Sequence, residues 1–253
     1  MTPYFEQAGI RIFCGDARDV LPRLDLSEVG LVLADPPYGE TSLAWDRWPV
    51  AWPATVAACV PGDAAMWCHG SLRMFFDHLV DFAGWKLAQE VVWEKQNGTG
   101  FATDRFRRVH ELVVMWYRGP WSGVYSVPPK VGGGKAKTVR RRERTPHWGA
   151  IADSTYVSED GGPRLMRSVI RVPNEHGKAG VANETQKPLG LVEPLVRSSL
   201  RPGRALLDPF CGSGTVLVAA KAMGARAVGI DLREEQCEAA ARRLTQTLAF
   251  GVG

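Results

Sequence analysis

The feature that most constrains the fold is a glycine-rich turn late in the chain. The segment Asp208-Pro209-Phe210-Cys211-Gly212-Ser213-Gly214 follows an apolar run, Ala205 to Leu207, that predicts a strand, and precedes Thr215 to Met223, which predicts a helix. Glycines there permit positive φ and let a ligand approach the backbone. Seventeen residues beyond Gly214, Asp231 ends the next apolar run, where its carboxylate can accept both hydroxyl hydrogens of a ribose. This order is typical of an adenosine-binding βαβ unit.

The same turn favours a cationic ligand over a dinucleotide. Dinucleotide sites usually carry G-x-G-x-x-G, whereas Gly214 is followed by Thr215-Val216-Leu217. Asp208 also puts an anion where phosphates would lie, and like charges repel. S-adenosylmethionine carries a sulfonium and an ammonium group and no phosphate, so it fits better. A glycine turn used only for packing is the structural alternative, and the incomplete pattern disfavours a nicotinamide oxidoreductase.

A second constrained turn, Asp35-Pro36-Pro37-Tyr38, follows the apolar run Leu31 to Ala34. It should lie at the carboxyl edge of the sheet, and its prolines leave rigid carbonyl acceptors. If the Asp35 carboxylate and the Pro36 carbonyl each accept one N–H of an adenine or cytosine amine, the nitrogen lone pair can point at a methyl donor. Tyr38 can stack on that base. A proline turn with a capping Asp and a core Tyr is the alternative.

Together these segments resemble the DNA amino-methyltransferases, the S-adenosylmethionine-dependent family that methylates adenine N6 or cytosine N4. The order, with Asp35 to Tyr38 first and the Phe-x-Gly-x-Gly turn last, is similar to the permuted β group of that family. Gly15-Asp16, His110-Glu111 and Thr185-Gln186-Lys187-Pro188 fall in register with it. The resemblance implies a Rossmann-like α/β fold with a mostly parallel, seven-stranded sheet and an inserted DNA-recognition lobe.

The resemblance also implies roles for individual residues. Asp16 would lie near the adenosine end of the cofactor, Lys187 and Thr215 near its methionine end, and Asp231 at the ribose. The Asp form of the tetrapeptide is commoner for adenine, and cytosine is the alternative. The implied catalytic residues are Asp35, Pro36, Pro37 and Tyr38, and the implied cofactor-binding residues are Asp16, Lys187, Asp208, Phe210, Gly212, Ser213, Gly214, Thr215 and Asp231.

Residues 119–182 differ from the rest of the chain, because proline, glycine and basic residues replace sustained apolar periods. We predict that they form an inserted target-recognition region, and that residues 1–118 and 183–253 are the catalytic and cofactor-binding halves of one methyltransferase domain. A basic run within the insertion predicts phosphate contacts, with a solvated charge run as the alternative. Its predicted DNA-binding residues are Lys130, Lys135, Lys137, Arg140, Arg141, Arg142 and Arg144.

Composition excludes several other classes of protein. With 45% hydrophobic residues, the 253-residue chain can build a sizeable core. Five cysteines without a C-x-x-C pair and five dispersed histidines argue against a disulfide framework and against a metal site. No apolar run approaches the roughly 18 residues of a membrane span. We therefore expect no membrane association, and a cytoplasmic location in a prokaryotic or phage-infected cell.

The sequence thus predicts an enzyme that transfers a methyl group from S-adenosylmethionine to the exocyclic amine of a flipped base in double-stranded DNA. Adenine N6 is the first choice and cytosine N4 the second. Two competing hypotheses are methylation of RNA or protein, and DNA binding without catalysis. A homodimer and a functional pairing with a restriction nuclease are left open.

Overall fold

The computed structural model describes residues 1–99, 103–140, 155–174 and 186–246. The strands, in chain order, are β1 (Phe5–Gln7), β2 (Ile10–Cys14), β3 (Val29–Ala34), β4 (Ala65–Gly70), β5 (Lys86–Thr99), β6 (Arg108–Tyr117), β7 (Lys130–Val131), β8 (Lys137–Arg140), β9 (Thr155–Ser158), β10 (Arg164–Leu165), β11 (Val169–Arg171), β12 (Ala205–Asp208) and β13 (Ala227–Asp231). The α-helices are α1 (Ala17–Val20), α2 (Trp52–Cys59), α3 (Leu72–Asp77), α4 (Leu189–Ser199), α5 (Thr215–Ala222) and α6 (Glu234–Gln246).

The main sheet has nine strands among the described residues, in the order β1-β2-β13-β12-β3-β4-β6-β5-β11. Neighbours are parallel except in the pairs β1–β2, β4–β6 and β5–β6. The mostly parallel α/β architecture is as predicted, but the expected count of seven strands is too low. The two additional strands lie at the edges: β1 folds back on β2 through a turn at Ala8 and Gly9, and β11 pairs with β5.

The central strands are buried on both faces, which explains their continuous apolar sequences. On one face, Val32 and Ala34 of β3 join Leu207 of β12 in a core cluster that also includes Val20 and Val56, from α1 and α2. Because side chains alternate along a strand, the intervening residues face the other side, where α4, α5 and α6 pack. Each central strand is therefore covered by helices, and only its ends are open to ligands.

An aromatic cluster joins the helices to the turns that follow the central strands. Trp52, at the start of α2, is fully buried and packs edge-on against Phe82 and Phe210, at centroid distances of 6.0 and 5.1 Å. Such edge-to-face pairs contribute about 0.5–1.5 kcal/mol beyond their buried area. The glycine-rich turn, which contains Phe210, is thus packed against the helix that follows β3.

The described residues of Pro128–Arg167 form a second compact unit, and those of Met1–Val127 and Ser168–Gly253 form the first. Two antiparallel pairs, β7–β10 and β8–β9, make up the second unit. Its hydrophobic side chains Val131, Val157 and Leu165 are exposed, so backbone pairing rather than apolar burial organises these strands. The sequence pattern predicts no strands there, because such short runs leave little apolar periodicity. The boundaries 119 and 182 stay predictions.

Four of the predicted DNA-binding residues belong to the described part of this second unit. Lys130, Lys135 and Lys137 are exposed, and Arg140 ends β8. Three further residues, Arg141, Arg142 and Arg144, lie outside the described residues.

All five cysteines, which the structure does describe, are free thiols. In the described parts of the chain, no helix is long and apolar enough to cross a membrane.

Candidate active site

The candidate site lies where the chain connections of the sheet diverge. β3 leads through α2 to β4 on one side, whereas the adjacent strand β12 leads through α5 to β13 on the other. Ligands of open α/β sheets bind at such a switch point, beyond the carboxyl ends of the strands. Asp35 follows β3, Asp208 ends β12 and Asp231 ends β13. The fold therefore brings the Asp35 turn and the glycine-rich turn to one edge of the sheet.

Both turns line one cleft of about 630 Å³, a volume typical of small-molecule sites. Its walls include Asp35, Pro36, Pro37 and Tyr38 from the first turn, and Phe210, Gly212 and Asp231 from the second half of the chain. An adjoining cavity of about 50 Å³ is lined by Asp35, Lys187, Asp208, Ser213 and Thr215, among others. Of the predicted catalytic and cofactor-binding residues, Asp16 and Gly214 line neither.

The Asp35 carboxylate is held by two donors. The Tyr38 hydroxyl donates to Oδ1 at 3.0 Å, and the Lys187 ammonium donates to Oδ2 at 2.6 Å. Burial, followed by the charge of Asp35, raises the pKa of Tyr38 well above its usual value, so this hydroxyl keeps its proton and donates. Lys187, which the resemblance places near the cofactor, thus also contacts the predicted catalytic carboxylate.

Lys187 connects Asp35 to a further buried pair. Its Nζ lies 3.7 Å from Oε2 of Glu111 on β6, while Lys95 on β5 binds Oε1 of the same carboxylate. Burial acts to lower the pKa of Lys187, but Asp35 and Glu111 outweigh it and the pKa is raised. Burial would likewise raise the pKa of Glu111, yet Lys187 and Lys95 hold it at about 2. Lys187 and Glu111 are therefore both charged at neutral pH.

Sheet pairing explains why these residues meet. Trp93 lies directly opposite Glu111 in the β5–β6 ladder, and Lys95 is two residues further along β5, on the same face. His69 of β4 lies opposite Val113, which shares that face with Glu111. Trp93, Lys95 and Glu111 consequently line the cleft. None of these three has a role predicted from the sequence, because long-range pairing leaves no local pattern.

The glycine-rich turn is fixed by its acidic residues. Asp231 accepts hydrogen bonds from the backbone N–H groups of Gly212 at 2.8 Å and Arg233 at 2.9 Å, and Asp208 accepts one from Phe210 at 3.1 Å. Burial raises the pKa of Asp231, and raises that of Asp208 well above its usual value. A cationic ligand would relieve this cost of burying negative charge.

The remaining cofactor candidates hold the turn in place. Gly214 has φ +82°, and a Cβ there would lie 2.8 Å from Cβ of Ala240 on α6. Ser213 Oγ donates to Gln186 Oε1 at 3.0 Å, so the turn is tied to the residue that precedes Lys187. Thr215 Oγ1 accepts from Arg243 at 3.2 Å. These contacts connect the turn with α6 and with the segment before α4.

Asp16 caps α1 and pairs with Arg18, whose hydrogen bonds lower the pKa of the carboxyl. Its neighbour Gly15 donates its backbone N–H to the carbonyl of Asp231 at 2.9 Å. Asp16 is therefore at the correct edge of the sheet, though outside the lining of the cleft. Near the same edge, the Arg233 guanidinium lies 4.9 Å from the ring centroid of Trp45, and both residues line the cleft.

Comparison with known proteins identifies the family. A family model described as DNA methylase, covering N6 and N4 methyltransferases, matches residues 29–242. The chain belongs to this family. The predicted family is therefore confirmed, and this DNA methylase is a DNA amino-methyltransferase of the N6-adenine and N4-cytosine group. The predicted cofactor, S-adenosylmethionine, is confirmed as well, since the structural neighbours include complexes of such methyltransferases with it.

Individual relatives are distant but extend over nearly the whole chain. Type II methyltransferase M2.DpnII of Streptococcus pneumoniae is 22% identical, over 96% of this methylase and 92% of the relative. The M1.HpyAVI–SAM complex has a TM-score of 0.60 at 21% identity, covering 92% and 99% of the two chains. The cytosine-N4-specific PvuII DNA methyltransferase has a TM-score of 0.66 at 15% identity, covering 95% and 88%. These similarities confirm the predicted fold class.

Proposed function

We propose that this chain methylates N6 of adenine in a defined sequence of double-stranded DNA. The observation that carries the proposal is that the Asp35 turn lines one cleft together with Phe210 and Gly212 of the glycine-rich turn and with Asp231. A methyl donor and a target amine must meet within about 3–3.5 Å for direct transfer, so the two sites must share a cavity.

The residues around the glycine-rich turn suit S-adenosylmethionine. Asp208 is a buried carboxylate that accepts from the backbone of Phe210, in a cavity that also presents Ser213 and Thr215. It would bind a cationic amino group there, while Asp231, at the wall of the larger cleft, would accept the ribose hydroxyls. When bound, the cofactor supplies a methyl group activated by a sulfonium. A site of this kind, which binds positive groups through carboxylates, supports S-adenosylmethionine as the ligand over a dinucleotide.

Asp35 and Pro36 would orient the base. One N–H of the target amine would donate to the Asp35 carboxylate and the other to the Pro36 carbonyl, directing the nitrogen lone pair at the methyl carbon. The target nitrogen would accept the methyl group that the bound cofactor supplies, with a neutral thioether as the leaving group, and the methylated amine would release one proton to Asp35 or to water. Tyr38 would position Asp35 by its hydrogen bond, a role additional to stacking on the base.

The DNA must present the base outside the helix, at a cost of a few kcal/mol. We assign phosphate contacts to Lys130, Lys135, Lys137 and the arginines from Arg140 to Arg144, and target recognition to residues 119–182. The Type II name of M2.DpnII supports modification of a specific sequence, as in pairing with a restriction nuclease. Asp35 in the tetrapeptide favours adenine, whereas the structural similarity to a cytosine-N4-specific enzyme supports cytosine as the second candidate.

The deciding experiment is modification-sensitive sequencing of DNA from cells that express the chain, compared with cells that express the Asp35→Asn variant. We expect N6-methyladenine in one sequence context with the wild type and none with the variant. N4-methylcytosine would overturn the choice of base. No modified base in DNA, together with transfer of labelled methyl groups to RNA or protein, would overturn the proposed function.

Asp35→Asn keeps the shape of the side chain and removes its charge. We expect the single-turnover rate to fall by at least about 100-fold, since charged acceptors in a desolvated site contribute this much. Binding of S-adenosylmethionine, measured by calorimetry, should change by less than about threefold. Asp63→Asn is the matched control, because Asp63 pairs with Arg204 away from the cleft. Equal activity of Asp35→Asn and wild type would remove Asp35 from the mechanism.

A further inference from the structure

Four charged side chains of alternating sign extend from the candidate reaction centre into the sheet. Asp35 follows β3, Lys187 precedes α4, Glu111 lies on β6 and Lys95 on β5. Asp35 and Lys187 are 2.6 Å apart, Lys187 and Glu111 are 3.7 Å apart, and Glu111 is hydrogen-bonded to Lys95. The side chains of Lys187, Glu111 and Lys95 are only 11%, 13% and 8% exposed. Solvent therefore screens their interactions weakly.

The charges of these four side chains affect the methyl transfer of the proposed function. The target amine becomes positive as it accepts the methyl group, and Asp35 is the anion placed to stabilise that charge. Lys187, in direct contact with Asp35, opposes this stabilisation. The negative charge of Glu111 offsets the positive charge of Lys187. An unpaired Glu111 would also attract the Lys187 ammonium away from Asp35, and Lys95 weakens this attraction by pairing with Glu111. The four groups sum to zero charge, so Asp35 can act as an anion toward the amine.

The neighbouring titratable groups leave this balance unchanged at neutral pH. His69 of β4 is fully buried, and within the described ranges neither ring nitrogen has a hydrogen-bond partner. Burial lowers its pKa to about 4, so it is neutral. Tyr38 keeps its proton, because burial raises its pKa. Among the other charged groups that line the cleft, Arg108 pairs with Glu40, and in the adjoining cavity Asp208 faces the proposed cationic end of the cofactor.

We propose that Glu111 is a positioning residue for methyl transfer, which acts on Asp35 through Lys187 and whose own charge is balanced by Lys95. Glu111 would not need to touch the base or the cofactor. It would set the position and effective charge of the Lys187 ammonium, and through it the ability of Asp35 to orient and stabilise the amine. This inference rests on the proposed function.

The test compares Glu111→Gln with a double variant, Glu111→Gln with Lys95→Met. The single variant leaves two ammonium groups and one carboxylate, a net positive site, so its single-turnover rate should fall at least about tenfold. The double variant removes one charge of each sign and replaces the pair with groups of similar size, which buried sites tolerate. Its rate should recover in part, to at least about threefold above that of the single variant, because the net charge returns to zero although Lys187 still lacks its offsetting carboxylate.

A pH profile gives a second signature. In Glu111→Gln, Lys187 loses one of the two carboxylates that raise its pKa against the effect of burial, so its ammonium should lose its proton more readily and then no longer oppose Asp35. The rate of this variant should therefore rise toward that of wild type as pH increases, whereas KM for S-adenosylmethionine and for DNA should stay within about threefold. A role in folding alone would produce neither the recovery with pH nor the rescue by a second substitution.

Glu94→Gln is the matched control. Glu94 adjoins Lys95 in β5 but points to the opposite face, where it pairs with the exposed Arg171. We expect wild-type rates from this variant. A Glu111→Gln rate equal to wild type, or a double variant no faster than the single one, would overturn the inference. If wild type itself transfers no labelled methyl group to unmodified duplex DNA, the proposed function fails instead.

Discussion

Substitution of Gly214 by alanine tests how the glycine-rich turn is built. The residue has φ +82°, and an added Cβ would lie 2.8 Å from Cβ and 3.2 Å from Cα of Ala240. The left-handed conformation costs a non-glycine residue about 1–2 kcal/mol, and overpacking against α6 adds about 1–3 kcal/mol, because the obstructing atoms belong to a buried helix rather than a flexible side-chain end. We expect Gly214→Ala to lower the free energy of unfolding by about 2–5 kcal/mol.

Gly212→Ala is the matched control for the steric part. Gly212 also has positive φ, +48°, but the nearest atom to its added Cβ is Oε1 of Gln236 at 4.0 Å. Only the conformational cost of about 1–2 kcal/mol should remain. Both variants are measured by urea unfolding, comparing midpoints at unchanged m-value. Equal losses in the two variants, or a loss below about 1 kcal/mol for Gly214→Ala, would refute the proposed packing of the turn against α6.

The remaining predictions concern charge. Because burial raises the pKa of Asp208, the folded state loses stability as pH rises through that pKa. Asp208→Asn should therefore have a higher melting temperature than wild type at pH 8 in scanning calorimetry. The same variant should bind S-adenosylmethionine more weakly. The pKa of Glu111 is held at about 2, below its ordinary 4.5, so the charged carboxylate stabilises the fold above pH 4.5 and this stabilisation is lost on acidification toward pH 2. In Glu111→Gln the free energy of unfolding should therefore depend less on pH between 4.5 and 2. Replacing Lys130, Lys135 and Lys137 with alanine should reduce the slope of log affinity for DNA against log salt by up to about 0.9 for each phosphate that is no longer neutralised, measured by fluorescence anisotropy. A higher acid sensitivity in Glu111→Gln, an unchanged melting temperature in Asp208→Asn, or an unchanged salt slope would contradict the respective assignment.

The parts of the site that sequence could predict are those set by local pattern. Asp35, Asp208 and Asp231 each end or follow a short apolar run, and a strand end in an α/β sheet is where ligands bind. Their roles therefore follow from neighbours in the chain. Glycine spacing likewise predicted the turn between β12 and α5.

The parts that sequence could not predict depend on pairing between distant strands. Lys95 and Glu111 meet because β5 and β6 pair with Trp93 opposite Glu111, and nothing in either strand specifies that register. β11 is only three residues long and follows an irregular segment, so its sequence is too short to show the alternation of apolar and polar residues that predicts a strand. The hydrogen bond of Lys187 to Asp35 similarly joins residues separated by most of the chain.

The distribution of charge connects cofactor choice with release of product. The chain is basic overall, with a formal net charge of +4, and in the cleft Lys187 and Lys95 balance Asp35 and Glu111. The glycine-rich turn, however, is flanked by the carboxyl groups of Asp208 and Asp231. The negative field of these two carboxyl groups favours a ligand with two positive groups over one with phosphates. The same field distinguishes substrate from product, because methyl transfer converts the sulfonium into a neutral thioether. The attraction that helps bind the methyl donor therefore weakens once the reaction is complete, which favours exchange of the spent cofactor.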